Sequence, residues 1–232
     1  MYQYASQLFE PVQQLAEQFN VLQSAMASSE KIFDVLDTKP EIEDEIDSIE
    51  LENFKGEIEF KNVWFKYVED EWVLKDVSFK VNPNDTVAFV GATGSGKTTI
   101  MSLIVRNYDI QQGEILIDGI PIKRIKRSSL RAHIGQMPQD VFLFTGTIQS
   151  NITLNDETIS KEKVIEASEY VGANTFIDKL DGTYDHMVRE RGNNFSTGQR
   201  QLLSFARAFV YEPTVMILDE ATANIDSETE AL

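Results

Sequence analysis

The chain has 232 residues, 42% hydrophobic and 10% aromatic, which is enough for one good-sized core or one domain with appendages. Its formal net charge of −17 argues against a nucleic-acid partner, which requires a positive face. Cysteine is absent, which excludes a disulfide framework and a Cys-based metal site and fits a reducing cytosol. No apolar run is long enough to span a membrane, and the N-terminus lacks the basic start and apolar core of a signal peptide.

Residues 1–36 read as one helix. Leu8, Val12, Leu15, Phe19, Leu22, Met26, Phe33 and Leu36 recur at alternating spacings of four and three, with Ser29 in the missing place, so they form one stripe. Pro11 would kink this helix or mark its ordered start. Seven carboxylates then crowd residues 41–52, between Pro40 and Gly56, and read as a solvated linker. From residue 57 the period changes. Residues 57–67, 73–81 and 113–119 read as strands from their near-alternation. Residues 86–90 ("TVAFV") and 214–218 ("TVMIL") are continuous apolar runs, the pattern of strands buried on both faces of a parallel sheet. Helical patterns follow at 98–107, 161–171 and 198–210, giving an α/β fold with antiparallel sheet near its front.

Residues 91–98, "GATGSGKT", match G-x-x-x-x-G-K-S/T directly after an apolar run and at the start of a helix. Such a loop turns backbone N–H groups toward phosphate oxygens at the positive end of a helix dipole. Gly91, Thr93, Gly94, Ser95, Gly96, Lys97, Thr98 and Thr99 are therefore the candidate phosphate binders. Lys97 would reach the β- and γ-phosphates, and the Thr98 hydroxyl would ligate Mg²⁺. The run 214–218 leads into Asp219, placed to hold the magnesium shell, and Glu220, placed to orient and deprotonate an attacking water.

The phosphate loop, "MPQD" at 137–140, "FSTGQ" at 195–199, "ILDE" at 217–220 and "ANID" at 223–226 occur in the order of an ABC transporter nucleotide-binding domain. Residues 57–232 resemble the type found in ABC exporters of the multidrug or lipid class. The resemblance implies a P-loop ATPase fold with a mixed sheet core, an antiparallel β subdomain and a helical subdomain at about 139–212. It also implies that residues 1–38 extend the last transmembrane helix, with 39–56 as an acidic linker. Catalytic roles fall on Glu220, Lys97 and Gln139, with Gln139 joining Thr98 and Asp219 around Mg²⁺. Tyr67 sits where the family stacks an aromatic on adenine, and residues 141–152 resemble the surface that meets the transmembrane domain. Two such domains stack head to tail in this family, so Ser196, Gly198 and Gln199 would bind the ATP held by the partner's loop. Asp226 would lie in the loop that crosses that interface.

Two departures modify these expectations. Thr197 replaces the usual signature glycine, and a β-branched residue disfavours any positive φ there. This favours one half of a heterodimer over a homodimer. The chain also stops at Leu232, where the family continues with a strand and a γ-phosphate histidine; His133 and His186 both precede Asp219 and cannot be that residue. An incomplete domain is therefore expected, and the alternative function is a nucleotide-binding fragment or regulatory half-site with little hydrolysis. The location implied is the cytoplasmic face of the membrane, through the transmembrane domain.

Overall fold

A computed structural model describes residues 2–40, 42–138 and 140–219. Two compact units divide at Glu43 and Asp44. The first holds helix α1 (Tyr2–Asp37), which Pro11 interrupts neither in length nor in assignment. On α1, Val12, Leu15, Phe19, Leu22, Met26, Phe33 and Leu36 are all more than half exposed. Among the described residues no helix is long and apolar enough to cross a membrane.

The second unit opens with β1 (Ile58–Lys66) and β2 (Trp72–Val81), followed by α2 (Lys97–Ile104), β3 (Gln112–Ile117) and β4 (Ile120–Pro121). The four strands form one antiparallel sheet in the order β2-β1-β3-β4. Alternation in β1 buries Ile58 and Phe60, and a bulge near Asn62 shifts the phase so that Val63 and Phe65 take the buried face. Phe60 stacks on Phe79 across the ladder at 4.5 Å between centroids. Leu103 and Ile104 of α2, with Ile117, Ile125 and Leu130, complete this core.

Next come α3 (Arg127–Ala132), β5 (Ile134–Met137), β6 (Gly146–Thr147), α4 (Ile148–Thr153), α5 (Lys161–Tyr170), α6 (Asn174–Ile177), β7 (Met187–Val188), α7 (Thr197–Phe209) and β8 (Val215–Leu218). β5 and β8 pair in parallel, Ile134 with Val215 through Met137 with Leu218. α4, α5 and α7 surround a second core of Leu143, Ile148, Ile152, Val164, Leu203 and Ala206. Arg207 fastens α7 to this region. It donates to the carbonyl oxygens of Asn151 and Phe142 at 2.8 and 2.9 Å, and burial holds its guanidinium below its ordinary pKa.

Two expectations change. Residues 86–90 form no strand ladder; Val90 is 94% exposed, and only Phe89 packs, at 5.3 Å from the Phe79 ring. β8 is paired to β5 on one edge, and a cavity borders both 86–89 and 214–219. A continuous apolar run becomes a doubly buried strand only where neighbours take up its backbone groups; among the described residues none does so for 86–90, and β5 does so on one edge of 214–218.

The acidic segment, in turn, keeps its carboxylates exposed, but from Asp44 on its backbone is docked and is not a free linker. Ile49 donates to the Arg124 carbonyl at 2.8 Å and accepts from Lys126 N–H at 2.9 Å. Leu51 N–H donates to Ser129 Oγ at 2.9 Å, and the Leu51 and Phe54 side chains are buried. Of its carboxylates, Asp44 pairs with Arg106 and Arg127 and Glu50 with Lys126, while both stay open to solvent.

Gly113 tests the register of β1 against β3. Its φ is +88°, and a Cβ would stand 2.2 Å from the Asn62 carbonyl oxygen and 2.5 Å from that of Lys61. Both obstacles are backbone and cannot rotate away. Gly113→Ala should cost about 2–4 kcal/mol, read as a lower urea midpoint with unchanged slope.

Candidate functional site

The loop between the 86–90 run and α2 is shaped by its glycines. Gly96 is the N-cap of α2 with φ 92°, and a Cβ there would lie 2.7 Å from Leu74 Cδ2 of β2. The loop therefore comes closer to the sheet than any other residue type allows. At Gly94 no atom lies within 4 Å of the place a Cβ would take, so that side of the loop stands open. Ser95 N–H donates to the Ala92 carbonyl at 3.1 Å and closes the turn.

No side chain caps α2, and its first helical bond runs from Ile100 N–H to the Gly96 carbonyl at 3.0 Å. The N–H groups of the first turn, at Lys97, Thr98 and Thr99, thus have no partner within the helix. Lys97 Nζ folds back over the loop and donates to the carbonyls of Gly91 and Ala92 at 2.8 and 3.2 Å. Open N–H groups, a helix N-terminus and a lysine ammonium make an anion-binding concavity.

A cavity of about 640 Å³ carries Lys97 and Asp219 on its wall, together with Val87, Phe89, Met101 and Leu218. Asp219 directly follows β8, and its N–H donates to the Met137 carbonyl at 3.2 Å, so the β5–β8 pairing sets its position. The structure therefore brings residues of two distant motifs, Lys97 and Asp219, to one cavity. Thr98 is exposed on the first turn of α2. Its hydroxyl and the Asp219 carboxylate are hard oxygen donors, which suits Mg²⁺ held by few protein groups and by phosphate oxygens. Among the described residues no three His, Asp or Glu side chains form a metal cluster of their own.

Tyr67 lies just past β1, 48% exposed, and its hydroxyl is 3.1 Å from Thr99 Oγ1 on α2. The aromatic is thereby tied to the helix that begins at the loop.

The chain belongs to the ABC transporter family. That family matches residues 74–223, which contain the loop, the signature turn and the Asp219 strand. The chain is 48% identical over 227 residues to an uncharacterized ABC transporter ATP-binding protein of Bacillus subtilis, YknV, covering 98% of this chain and 38% of that protein. It is 42% identical over 230 residues to a fatty acid ABC transporter ATP-binding/permease protein of Mycobacterium bovis, covering 99% of this chain and 36% of that protein. Among solved structures it resembles a bacterial Atm1-family ABC exporter with ATP bound, with a TM-score of 0.84 and 36% identity over 98% of this chain and 40% of that one. The chain thus spans little more than a third of the curated relatives and two fifths of the exporter chain.

In this ABC domain the signature turn lies away from the cavity, for Ser196, Gly198 and Gln199 line none of it. Ser196 caps α7: its Oγ accepts from Gln199 N–H at 3.2 Å, and Gln199 Oε1 accepts from Ser196 N–H at 2.9 Å. Gly198 has no atom within 4 Å of a Cβ position, leaving that face of the helix start open. Thr197 adopts no positive φ; it is the first residue of α7, and its Oγ1 accepts from Arg200 at 3.2 Å. The strain expected there is absent, because a helical residue tolerates a β-branched side chain. Gln139, Glu220 and Asp226 lie outside the described residues. Sequence reading missed Tyr108, which touches the Tyr67 ring, and the Arg106 cluster beneath it; an aromatic shortly after the loop helix was the only available signal.

Proposed function

We propose that this chain is the ATP-binding and ATP-hydrolysing domain of an ABC exporter, driving transport through head-to-tail closure with a second such domain. The observation that carries this reading is the shared cavity wall of Lys97 and Asp219, beside an uncapped helix N-terminus. Lys97 and the loop N–H groups would hold the β- and γ-phosphates, and Tyr67 would stack on the base. Thr98, Asp219 and Gln139 would hold Mg²⁺, which neutralises charge on the transferring phosphoryl group. Glu220 would orient the attacking water and take its proton.

The open start of α7 at Ser196 and Gly198 supports a role toward the partner domain's nucleotide, with Asp226 in the adjoining interface. Gln199 already serves the capping box, so its contribution would be to hold that turn in shape. Thr197 is unstrained, but it still replaces the usual signature glycine in a chain with an intact phosphate loop, and a heterodimer is favoured over a homodimer on that ground. Residues 1–38 would continue the last helix of a transmembrane domain, placing residues 57–232 at the cytoplasmic face of the membrane. The exposed stripe of α1 supports this, since a helix in isolation gains little from such a face.

The test uses the complete transporter in lipid vesicles. Glu220→Gln should retain ATP binding and lower phosphate release by at least about a hundredfold, within the range known for general-base removal. Phosphate release at the wild-type rate would remove Glu220 from the role of base.

A further inference from the structure

The geometry points to Tyr108 as a positioning residue for base recognition: it holds the Tyr67 ring in the pose in which an adenine can stack on it. This rests on the nucleotide-binding reading above and names a residue that reading does not use.

Tyr67 is half exposed and sits one residue beyond the end of β1, where the ladder no longer restrains it. Three contacts do. Its hydroxyl meets Thr99, and its ring meets Phe65 at 4.8 Å and Tyr108 at 5.0 Å between centroids, each at nearly a right angle (87° and 85°). Edge-to-face contacts of this kind are favourable beyond the area they bury. Phe65 and Tyr108 also meet each other, at 5.7 Å, so the three rings form a closed cluster. Phe65 is 1% exposed and belongs to the core, whereas Tyr108 is 40% exposed and comes from a loop.

That loop is fixed at both ends. At its start the buried Arg106 donates to Asp109 Oδ1 at 3.1 Å and to the carbonyls of Lys123 and Ile125 at 3.2 Å each. At its end Gln111 brackets the backbone of Lys66, the residue before Tyr67. Its Oε1 accepts from Lys66 N–H at 3.0 Å, and its Nε2 donates to the Lys66 carbonyl at 3.1 Å. The turn that carries Tyr108 and the strand end that carries Tyr67 are thus fastened to one another. A stacking aromatic fixed before its ligand arrives loses less rotamer freedom on binding, and that saving appears as affinity for the base.

The base and phosphate contributions separate experimentally. Binding of MgATP and of magnesium tripolyphosphate, which has no base, would be measured for the 232-residue chain and its variants. Tyr108→Ala should weaken ATP binding about threefold to tenfold and leave tripolyphosphate binding unchanged. Tyr108→Phe should restore ATP binding, because it keeps the ring. Tyr67→Ala should weaken ATP at least as much as Tyr108→Ala.

Unchanged or tighter ATP binding in Tyr108→Ala would overturn the assignment, as would a parallel loss of both ligands, which would mark a purely structural residue. If the wild type binds ATP no better than tripolyphosphate, the base-positioning role fails while the phosphate loop stands. If it binds neither, the loop reading itself fails, and this inference goes with it.

Discussion

Lys97→Ala should weaken nucleotide binding by about 3 kcal/mol, somewhat more than a hundredfold, while leaving the fold intact. Among the described residues, the side chain bonds to two loop carbonyls, at Gly91 and Ala92. Those acceptors stand at an open loop, where water can replace the ammonium at little cost. A phosphate offers the ammonium a far stronger partner, because both groups carry full charge and the hydrogen bond is charge-assisted. The loss should fall equally on ATP and on tripolyphosphate, since Lys97 faces phosphate and not the base. That pattern distinguishes it from the Tyr108 substitution. Isothermal titration with both ligands, alongside a urea melt, checks the prediction. A Lys97→Ala chain that bound ATP within threefold of wild type would mean the N–H groups of α2 hold the phosphates unaided.

The loop was legible in the sequence because its chemistry is carried by the backbone. Gly96 must accept φ 92° and the approach of Leu74, so residue type and spacing alone announce it. The strands of the antiparallel sheet were legible for a similar local reason. Alternation in 57–67 and 73–81 fixes which face is buried, whatever lies beyond the sheet, and the observed bounds differ by one residue.

Properties that depend on distant partners were not legible. The run 86–90 has the composition of a buried strand, yet its backbone needs neighbours that composition cannot supply. The docking of 44–50 was hidden because the cations that meet Asp44 and Glu50, namely Arg106, Lys126 and Arg127, lie roughly sixty to eighty positions further along the chain. Tyr108 was hidden in the same way. Its partner Tyr67 stands 41 positions earlier (108 minus 67), and no local period links them.

Arg106→Met should destabilise the domain about as much as Gly113→Ala, through lost hydrogen bonds and not through a clash. The Arg106 side chain is 1% exposed, and the residue's own φ of 50° lies in the left-handed region that a non-glycine residue enters only when its surroundings hold it there. The acceptors of the guanidinium include Asp109 Oδ1, the carbonyls of Lys123 and Ile125, and Asp44 Oδ1 at 3.4 Å. One side chain therefore joins the end of α2, the turn before α3 and the acidic segment. Arg106→Met keeps most of the volume and removes every donor, leaving the buried Ile125 carbonyl and the part-buried Lys123 carbonyl without this partner. Asp44 and Asp109 are about one-third exposed, so water recovers part of their loss. The cost should accordingly sit near the lower end for a broken buried pair, about 3 kcal/mol. Arg106→Lys should rescue little of it, since one ammonium cannot span acceptors arranged for a planar fork. Hydrogen exchange gives the local reading: the amides of Ile49 and Lys126, which bridge the acidic segment to 124–126, should exchange faster than the rest of the domain. A loss below about 1 kcal/mol with those amides still protected would mean that Arg127 and Lys126 dock the segment without it.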